Sequence, residues 1–314
     1  MKRAAPARPR IWLDCDPGHD DALAIISAAR YADLVGISTV HGNAPLEKAT
    51  YNALRVCALL GRRVPVHPGA NRPLVAEPIT AEEIHGVSGL DGAELPEPSA
   101  DPEPVNAALA ILEASHRFED LHLVACGPWT NLALALRLDP LLPARLAGVS
   151  LMGGSGSFGN TTAAAEFNVL SDPEAAAIVL ACGAAPLRMS GLDLTHQAIA
   201  APGFRDQVER AGGPLARAAA DWLAFAGGAY AHVFGESGFP VHDVCAVLAI
   251  THPHLFEFEA RPVEVELNGR HTRGMTLVDW RDRAPDRREP NVLVGRKVDA
   301  EGFFAALLEA LTPG

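Results

Sequence analysis

The chain has 314 residues, 48% hydrophobic and 20% charged, with 38 acidic against 26 basic side chains and a formal net charge of −12. That length and composition suit a packed α/β protein and exclude a disordered chain. The acidic balance makes nucleic-acid phosphates and anionic membrane poor partners, and leaves a small neutral molecule compatible.

Residues 1–10 are basic and Pro-containing but lack an apolar h-region, so they read as a frayed tail and not a secretory signal. The apolar run at 11–16 reads as a short buried strand, and 20–30 as a helix whose small and aliphatic residues pack on it. A strand is expected at 34–40 and a helix at 46–60. Residues 67–104, rich in Pro, Gly and Glu without clear periodicity, read as a functional loop or lid. Next come a helix at 104–115, a strand at 121–125, a helix at 131–138, a strand at 149–152, a helix at 173–181 and a strand at 186–189. Helical periods return at 213–233 and 244–250. Strands at 262–267, 275–278 and 291–294 precede a closing helix at 300–311. Alternating βα units with apolar strands predict an α/β fold: an open, mostly parallel, Rossmann-like sheet with helices on both faces. The last strands lie close together and predict a small antiparallel addition near the C-terminus.

No internal repeat or composition break divides the sequence, so residues 11–314 are expected to form one domain after a flexible tail at 1–10. No window approaches the apolar length of a membrane span. The five cysteines (Cys15, Cys57, Cys126, Cys182, Cys245) are odd in number and sit in apolar or Ala-rich contexts. They read as reduced residues of a cytoplasmic protein.

Open parallel sheets bind ligands beyond the carboxyl ends of their strands. Several polar segments fall there: Asp14 to Asp21 after the first strand, His41-Gly42-Asn43 after the second, Cys126 to Asn131, Met152 to Ser155, and Gly191 to Asp193. The first is the most informative. Asp14, Asp16, Asp20 and Asp21 crowd directly behind an apolar run, and like charges packed this closely call for something positive among them. An oxygen-only donor set without a nearby Cys or His pair points to a hard cation, Ca²⁺ or Mg²⁺.

The segment Asp14-Cys15-Asp16-Pro17-Gly18-His19-Asp20-Asp21 closely resembles the N-terminal signature of the inosine-uridine preferring nucleoside hydrolases. Later blocks resemble the same family in the same order: Gly42 to Lys48, His85 to Gly92, Gly127 to Asn131, Leu151 to Gly154, Asn160 with Ala165 to Asn168, Asp172 to Ala176, Gly191 to Thr195, and His242-Asp243. Together they cover nearly the whole chain.

The resemblance implies a Ca²⁺-dependent hydrolysis of ribonucleosides to ribose and a free purine or pyrimidine base. It implies Ca²⁺ ligands in the carboxylates of Asp16, Asp21 and Asp243 and the backbone carbonyl of Cys126. Asp16 would also be the general base that activates a metal-bound water. His242 would be the acid toward the leaving base, histidine being able to carry a proton near neutral pH. Asp20, Asn43, Asn160, Glu166 and Asn168 match ribose-gripping positions, His85 a base-side contact in the 67–104 loop, and Met152 a substrate-side position after its strand. Members commonly form homodimers or homotetramers. The chemistry agrees: N-glycosidic cleavage builds positive charge on the ribose, which clustered carboxylates stabilise.

Trp222, Phe225 and Tyr230 recur at helical spacing and read mainly as core. Tyr230 is the best pocket candidate among them. Ala226 stands where some relatives carry a bulkier or polar residue, which leaves base preference open. Trp129 replaces an aliphatic residue and reads as packing. Asp193 reads as a sheet-end support and Asp14 as a support behind the cluster. Two other classes fit parts of the pattern. A haloacid-dehalogenase-like Mg²⁺ phosphohydrolase would use Asp14 as nucleophile and Asp16 as acid, but Gly18 stands where that pattern wants Thr or Val. A non-catalytic Ca²⁺-dependent nucleoside- or sugar-binding protein would not need both Asp16 and His242.

Overall fold

The first strand shows how the sheet is built. In β1 (Arg10–Cys15), Ile11, Leu13 and Cys15 join one buried apolar cluster and Trp12 joins another. Alternate residues of a strand point to opposite faces, and both faces here are covered, so residues 11–13 are apolar in succession. The protein is described by a computed structural model over residues 8–312, apart from 185, 236, 284 and 287.

The other strands in chain order are β2 (Asp33–Thr39), β3 (Val66–Pro68), β4 (Leu121–Ala125), β5 (Gly148–Met152), β6 (Leu187–Ser190), β7 (Ile199–Ala200), β8 (Phe239–Pro240), β9 (Phe256–Arg261), β10 (Val263–Val265), β11 (Thr276–Val278) and β12 (Val292–Val298). The main sheet has eight strands in the order β3-β2-β1-β4-β5-β6-β12-β9. Every pairing from β3 to β12 is parallel, and only β9 runs antiparallel, at the edge. The expected α/β class is therefore found. Helices His19–Tyr31, Leu46–Leu59, Gly213–Phe234, His242–Thr251 and Ala300–Leu311 cover one face, and Ala107–Arg117, Thr130–Leu138 and Pro173–Leu180 the other.

The C-terminal third differs from the expectation in detail. The antiparallel addition exists as β10 with β11, Val263 opposite Val278. The strand expected at 291–294 does not join it; β12 enters the main sheet parallel to β6, with Leu293 opposite Arg188. Strand β9 was not expected from the sequence: it is an edge strand that buries only Phe256 and Arg261. A two-residue pairing of β7 with β8 is too short to leave a period. The helix Pro202–Ala211 was also missed, since it buries only Phe204 and Val208 and is otherwise polar.

Strand order runs outward as 1-2-3 on one side of β1 and as 4-5-6 on the other. The reversal between β1 and β4 is the topological switch point, where the loops part and leave a crevice. Asp16 follows β1 there and Cys126 follows β4. Residues 67–104 are mostly irregular and contain the short helix Glu82–His85. Among the described residues, no helix is long and apolar enough to cross a membrane.

Candidate active site

Asp16 sits at the switch point, 1% exposed. Its Oδ2 accepts the Asn43 backbone N–H at 2.6 Å, while its buried Oδ1 has no hydrogen-bond partner. Two glycines make room for it. A Cβ on Gly42 would stand 1.9 Å from Asp16 Oδ2, and one on Gly127 2.6 Å from Oδ1. The turn after β1 is closed by Asp21, whose Oδ1 accepts the Asp16 N–H at 3.1 Å and whose Oδ2 accepts the Gly18 N–H at 3.0 Å and Asn43 Nδ2 at 3.1 Å.

Asp20 and Asp21 lie in the first turn of His19–Tyr31, and Asp243 in the first turn of His242–Thr251. Both helices point their positive N-terminal ends at the site, which favours carboxylates. One oxygen from each of Asp20, Asp21 and Asp243 lies within 4.8 Å of the others. Burial, and then the charge of Asp21, pushes Asp16 well above the usual carboxylate range. Burial followed by Asp20 and Asp21 does the same to Asp243. Asp20 is pushed up to about 7 by burial and Asp21. Among the described residues no Lys or Arg forms an ion pair with any of them. An orphaned buried carboxylate oxygen, a glycine cradle around it and converging acidic groups are what a hard cation requires, and the residues fit one. The spacing brings Asp20 into this group, although the sequence assigned it to the sugar. Cys126 follows β4, and its carbonyl accepts Asn168 Nδ2 at 2.6 Å, which leaves it a second lone pair.

Asp14 is fully buried behind this cluster. Its Oδ1 accepts Asn131 Nδ2 at 2.8 Å and the Ser38 hydroxyl, which in turn accepts Trp12 Nε1 at 2.9 Å. Burial outweighs those bonds and lifts its carboxyl to about 7. Its bonds to Asn131 and Ser38 tie it to the strand ends behind the cluster, a supporting position.

A cleft of about 520 Å³ opens over the cluster. It is lined by Asp20, Asn43, His85, Cys126, Met152, Asn160, Glu166, Asn168, Tyr230, His242 and Asp243, with Asp16 and Asp21 outside the lining. The sequence-selected positions thus converge from seven separate segments of the chain. Glu166 caps the helix Phe167–Ser171: Oε1 accepts the Asn168 N–H at 2.9 Å, and Oε2 those of Gly154 at 2.8 Å and Val169 at 3.1 Å. Asn160 Oδ1 accepts the Phe167 N–H at 3.0 Å, which leaves its Nδ2 toward other partners. The Met152 carbonyl accepts Trp129 Nε1 at 3.1 Å, so Trp129 is packing with one anchoring bond. Asp193 accepts Ser155 Oγ at 2.9 Å and the Gly156 N–H at 2.6 Å, a support for the loop after β5.

His242 Nδ1 lies 2.7 Å from Thr195 Oγ1. Burial, and then His196, pushes its imidazole down to about 3. It is therefore neutral at neutral pH in the ligand-free protein. The Thr195 hydroxyl can donate to Nδ1 or accept from it, so this contact anchors the ring in either tautomer. His85 is also buried and pushed well below its ordinary value, first by burial and then by His19 and His242.

The rest of the lining is mostly apolar, with Thr80, Glu83 and Thr161 among it, and was not selected from the sequence. Ile79, Ile84, Phe167, Leu170, Val233, Phe234 and Phe239 complete the walls. Val233 and Phe234 stand one helical turn beyond Tyr230, a spacing that could have found them. Ile79 and Ile84 lie in the irregular loop and carry no such signal. Tyr230 packs on Phe234 with ring centroids 4.5 Å apart and meets Phe239 edge-on at 6.1 Å.

Known proteins share this fold and much of this sequence. The sequence matches the inosine-uridine preferring nucleoside hydrolase family over residues 11–305. It is 40% identical over 306 residues to the pyrimidine-specific ribonucleoside hydrolase RihA of Enterobacter sp. (strain 638), covering 96% of this chain and 97% of that protein. It is 37% identical to the pyrimidine-specific ribonucleoside hydrolase RihB of Escherichia coli O139:H28, covering 96% of each. The structure superimposes on the purine-preferring ribonucleoside hydrolase of Gardnerella vaginalis with a TM-score of 0.89 at 30% identity, covering 96% of this chain and 98% of that one. The plant nucleoside hydrolase PpNRh1 gives the same TM-score at 28% identity, covering 98% and 100%. This chain belongs to the inosine-uridine preferring nucleoside hydrolase family and is a nucleoside hydrolase.

Proposed function

We propose that this enzyme hydrolyses the N-glycosidic bond of pyrimidine ribonucleosides, with Ca²⁺ held by Asp16, Asp21, Asp243 and the Cys126 carbonyl. The observation that carries the reading is the Asp16 carboxylate, with one oxygen anchored on Asn43 and the other buried without a partner. When bound, Ca²⁺ would offset the clustered negative charge and orient water and the ribose hydroxyls. Asp16 takes the proton of the attacking water, a contribution of roughly 10²–10⁴-fold in rate. Asp20, Asn43, Asn160, Glu166 and Asn168 line the polar end of the cleft and grip the sugar. Met152 shapes that end through its carbonyl and sulfur, both within 3.3 Å of Asn168 Nδ2. The carboxylates favour the positive charge that grows on the ribose. His242 donates to the departing base, and His85 and Tyr230 meet it from the apolar end. Preference for pyrimidines is supported by the printed specificity of RihA and RihB, at 37–40% identity.

One domain over residues 11–314, assembled as a homodimer or homotetramer in the cytoplasm, completes the reading. The deciding experiment is reducing-sugar release from uridine, cytidine, inosine, adenosine and guanosine, with Ca²⁺ and after chelation. Release from the pyrimidine nucleosides that depends on Ca²⁺ is expected. Binding without release would make the chain a binding protein, and faster release from the purine nucleosides would overturn the base preference.

A further inference from the structure

The antiparallel pair β10 with β11 has no task in the chemistry above, and among the described residues none of its side chains lines the cleft. Thr276, the first residue of β11, nevertheless grips the loop after β5. It is 2% exposed. Its hydroxyl accepts the Ser155 backbone N–H at 2.7 Å and donates to the Ser155 carbonyl at 2.6 Å. One side chain thus satisfies both main-chain polar groups of a buried residue, as a neighbouring strand would. The residue before it leaves room for this. A Cβ on Gly154, whose φ is +71°, would stand 2.8 Å from Thr276 Cγ2 and 2.9 Å from its Oγ1.

Gly154 is also where Glu166 is tied. The Gly154 N–H donates to Glu166 Oε2 at 2.8 Å, and the Val169 N–H to the same oxygen at 3.1 Å. Oε1 accepts the Asn168 N–H at 2.9 Å. An ionised carboxylate offers about four acceptor sites. The main chain fills three of them and leaves one, on Oε1, for a hydroxyl from the cleft that Glu166 lines. Two of the three donors belong to the helix that Glu166 itself caps. The Gly154 N–H is the bond that ties the carboxylate across to the end of β5, and it stands one residue from the peptide groups that Thr276 holds.

We propose that Thr276 is a positioning residue for the sugar end of the cleft. By fixing the Ser155 main chain it sets the Gly154 N–H against Glu166, and so holds that carboxylate where a ribose hydroxyl meets its remaining acceptor site. The proposal rests on the reading of Glu166 as a sugar contact. It adds that the C-terminal hairpin, which touches no substrate, belongs to the machinery that binds it. A merely structural Thr276 would lower stability and leave substrate binding alone.

The test is a double-mutant cycle on the enzyme with Ca²⁺ present, measured with whichever of the five ribonucleosides it cleaves fastest. Thr276→Val keeps the shape and removes both bonds. It should raise KM about tenfold with kcat changed less, the pattern of a loosened grip and not of a lost reacting group. Thr276→Ser keeps the hydroxyl and should restore the wild-type KM. Glu166→Gln should raise KM by itself. The double variant Thr276→Val with Glu166→Gln should lie within about twofold of Glu166→Gln, because residues that act as one unit do not add. Thr276→Ala, which opens room for water at the Ser155 peptide groups, supplies the same comparison if the valine variant does not fold. A wild-type KM in the variants without the hydroxyl, a serine variant as impaired as the valine one, or effects that multiply in the double variant overturns the role of Thr276. An unchanged KM in Glu166→Gln overturns the sugar contact itself, and the proposal with it.

Discussion

Asn43 donates a single bond to the Asp16 carboxylate and so leaves it two unlike oxygens. Oδ2 accepts the Asn43 backbone N–H at 2.6 Å, and Oδ1 is equally buried with no partner. A buried carboxylate oxygen without a donor is costly. It persists here because glycines at 42 and 127 and the main chain at 43 hold the side chain in place.

Asp16→Asn should therefore separate activity from stability. The amide keeps the shape but cannot take a proton, so kcat for ribonucleoside hydrolysis is expected to fall at least about 10²–10⁴-fold. Without metal, the melting temperature should hold or rise, because one member of a repelling buried group has been neutralised. Reducing-sugar release and thermal melts in chelator check both. Wild-type release from the variant would remove Asp16 from the role of base.

Metal removal should expose the repulsion directly, with a definite sign against pH. Asp14 and Asp20 have folded values near 7 against an ordinary 3.8, raised first by burial. An acid whose folded value is raised keeps its proton longer in the folded state. Its stability is full below about 3.8 and declines as pH rises toward about 7. Chelated protein is thus expected to melt at a higher temperature at pH 5 than at pH 7.5. The proposed Ca²⁺ would bind the ionised cluster, so adding it should raise the melting temperature most at pH 7.5, by about 2.7 kcal/mol of stability at a hundredfold excess over Kd. A chelated protein that is more stable at pH 7.5 would contradict the picture of an uncompensated acidic cluster.

The sequence exposed the centre of this site and hid its walls, for physical reasons. Asp16, Asp20 and Asp21 are neighbours along the chain, and four carboxylates behind an apolar strand point to a cation from the local sequence alone. Asp243 and Cys126 stood out only by resemblance, since nothing local at either position reveals that it meets Asp16. The parallel sheet was legible because strands buried on both faces carry unbroken apolar stretches, as at residues 11–13 of β1. Strand β9 and the helix Pro202–Ala211 were not, because edge strands and surface helices bury too few residues to leave a clear period. Ile79 and Ile84 lie in irregular backbone, where side-chain spacing carries no information about direction. The neutral state of His242 was illegible too: its cause is burial and the nearby His196, which only the folded chain supplies.

The glycine cradle gives the sharpest separation of shape from chemistry. Gly42 has φ of +158° and no space for a side chain, since a Cβ would stand 1.9 Å from Asp16 Oδ2 and 2.8 Å from Pro128 Cδ. Gly42→Ala adds no charge and removes no functional group, yet it must drive the Asp16 carboxylate off the Asn43 N–H. Activity should fall by about as much as in Asp16→Asn, roughly 10²-fold or more. Ca²⁺ affinity should fall with it, because the displaced carboxylate is a proposed ligand. Gly203→Ala is the matched control: it lies in the helix Pro202–Ala211, where a Cβ meets nothing within 4 Å. There kcat should be unchanged, and stability should shift by no more than about 1 kcal/mol. Steady-state kinetics and calorimetric Ca²⁺ titration of the two variants decide the matter. Wild-type kcat in Gly42→Ala would mean that the position of the Asp16 carboxylate is not what limits the reaction.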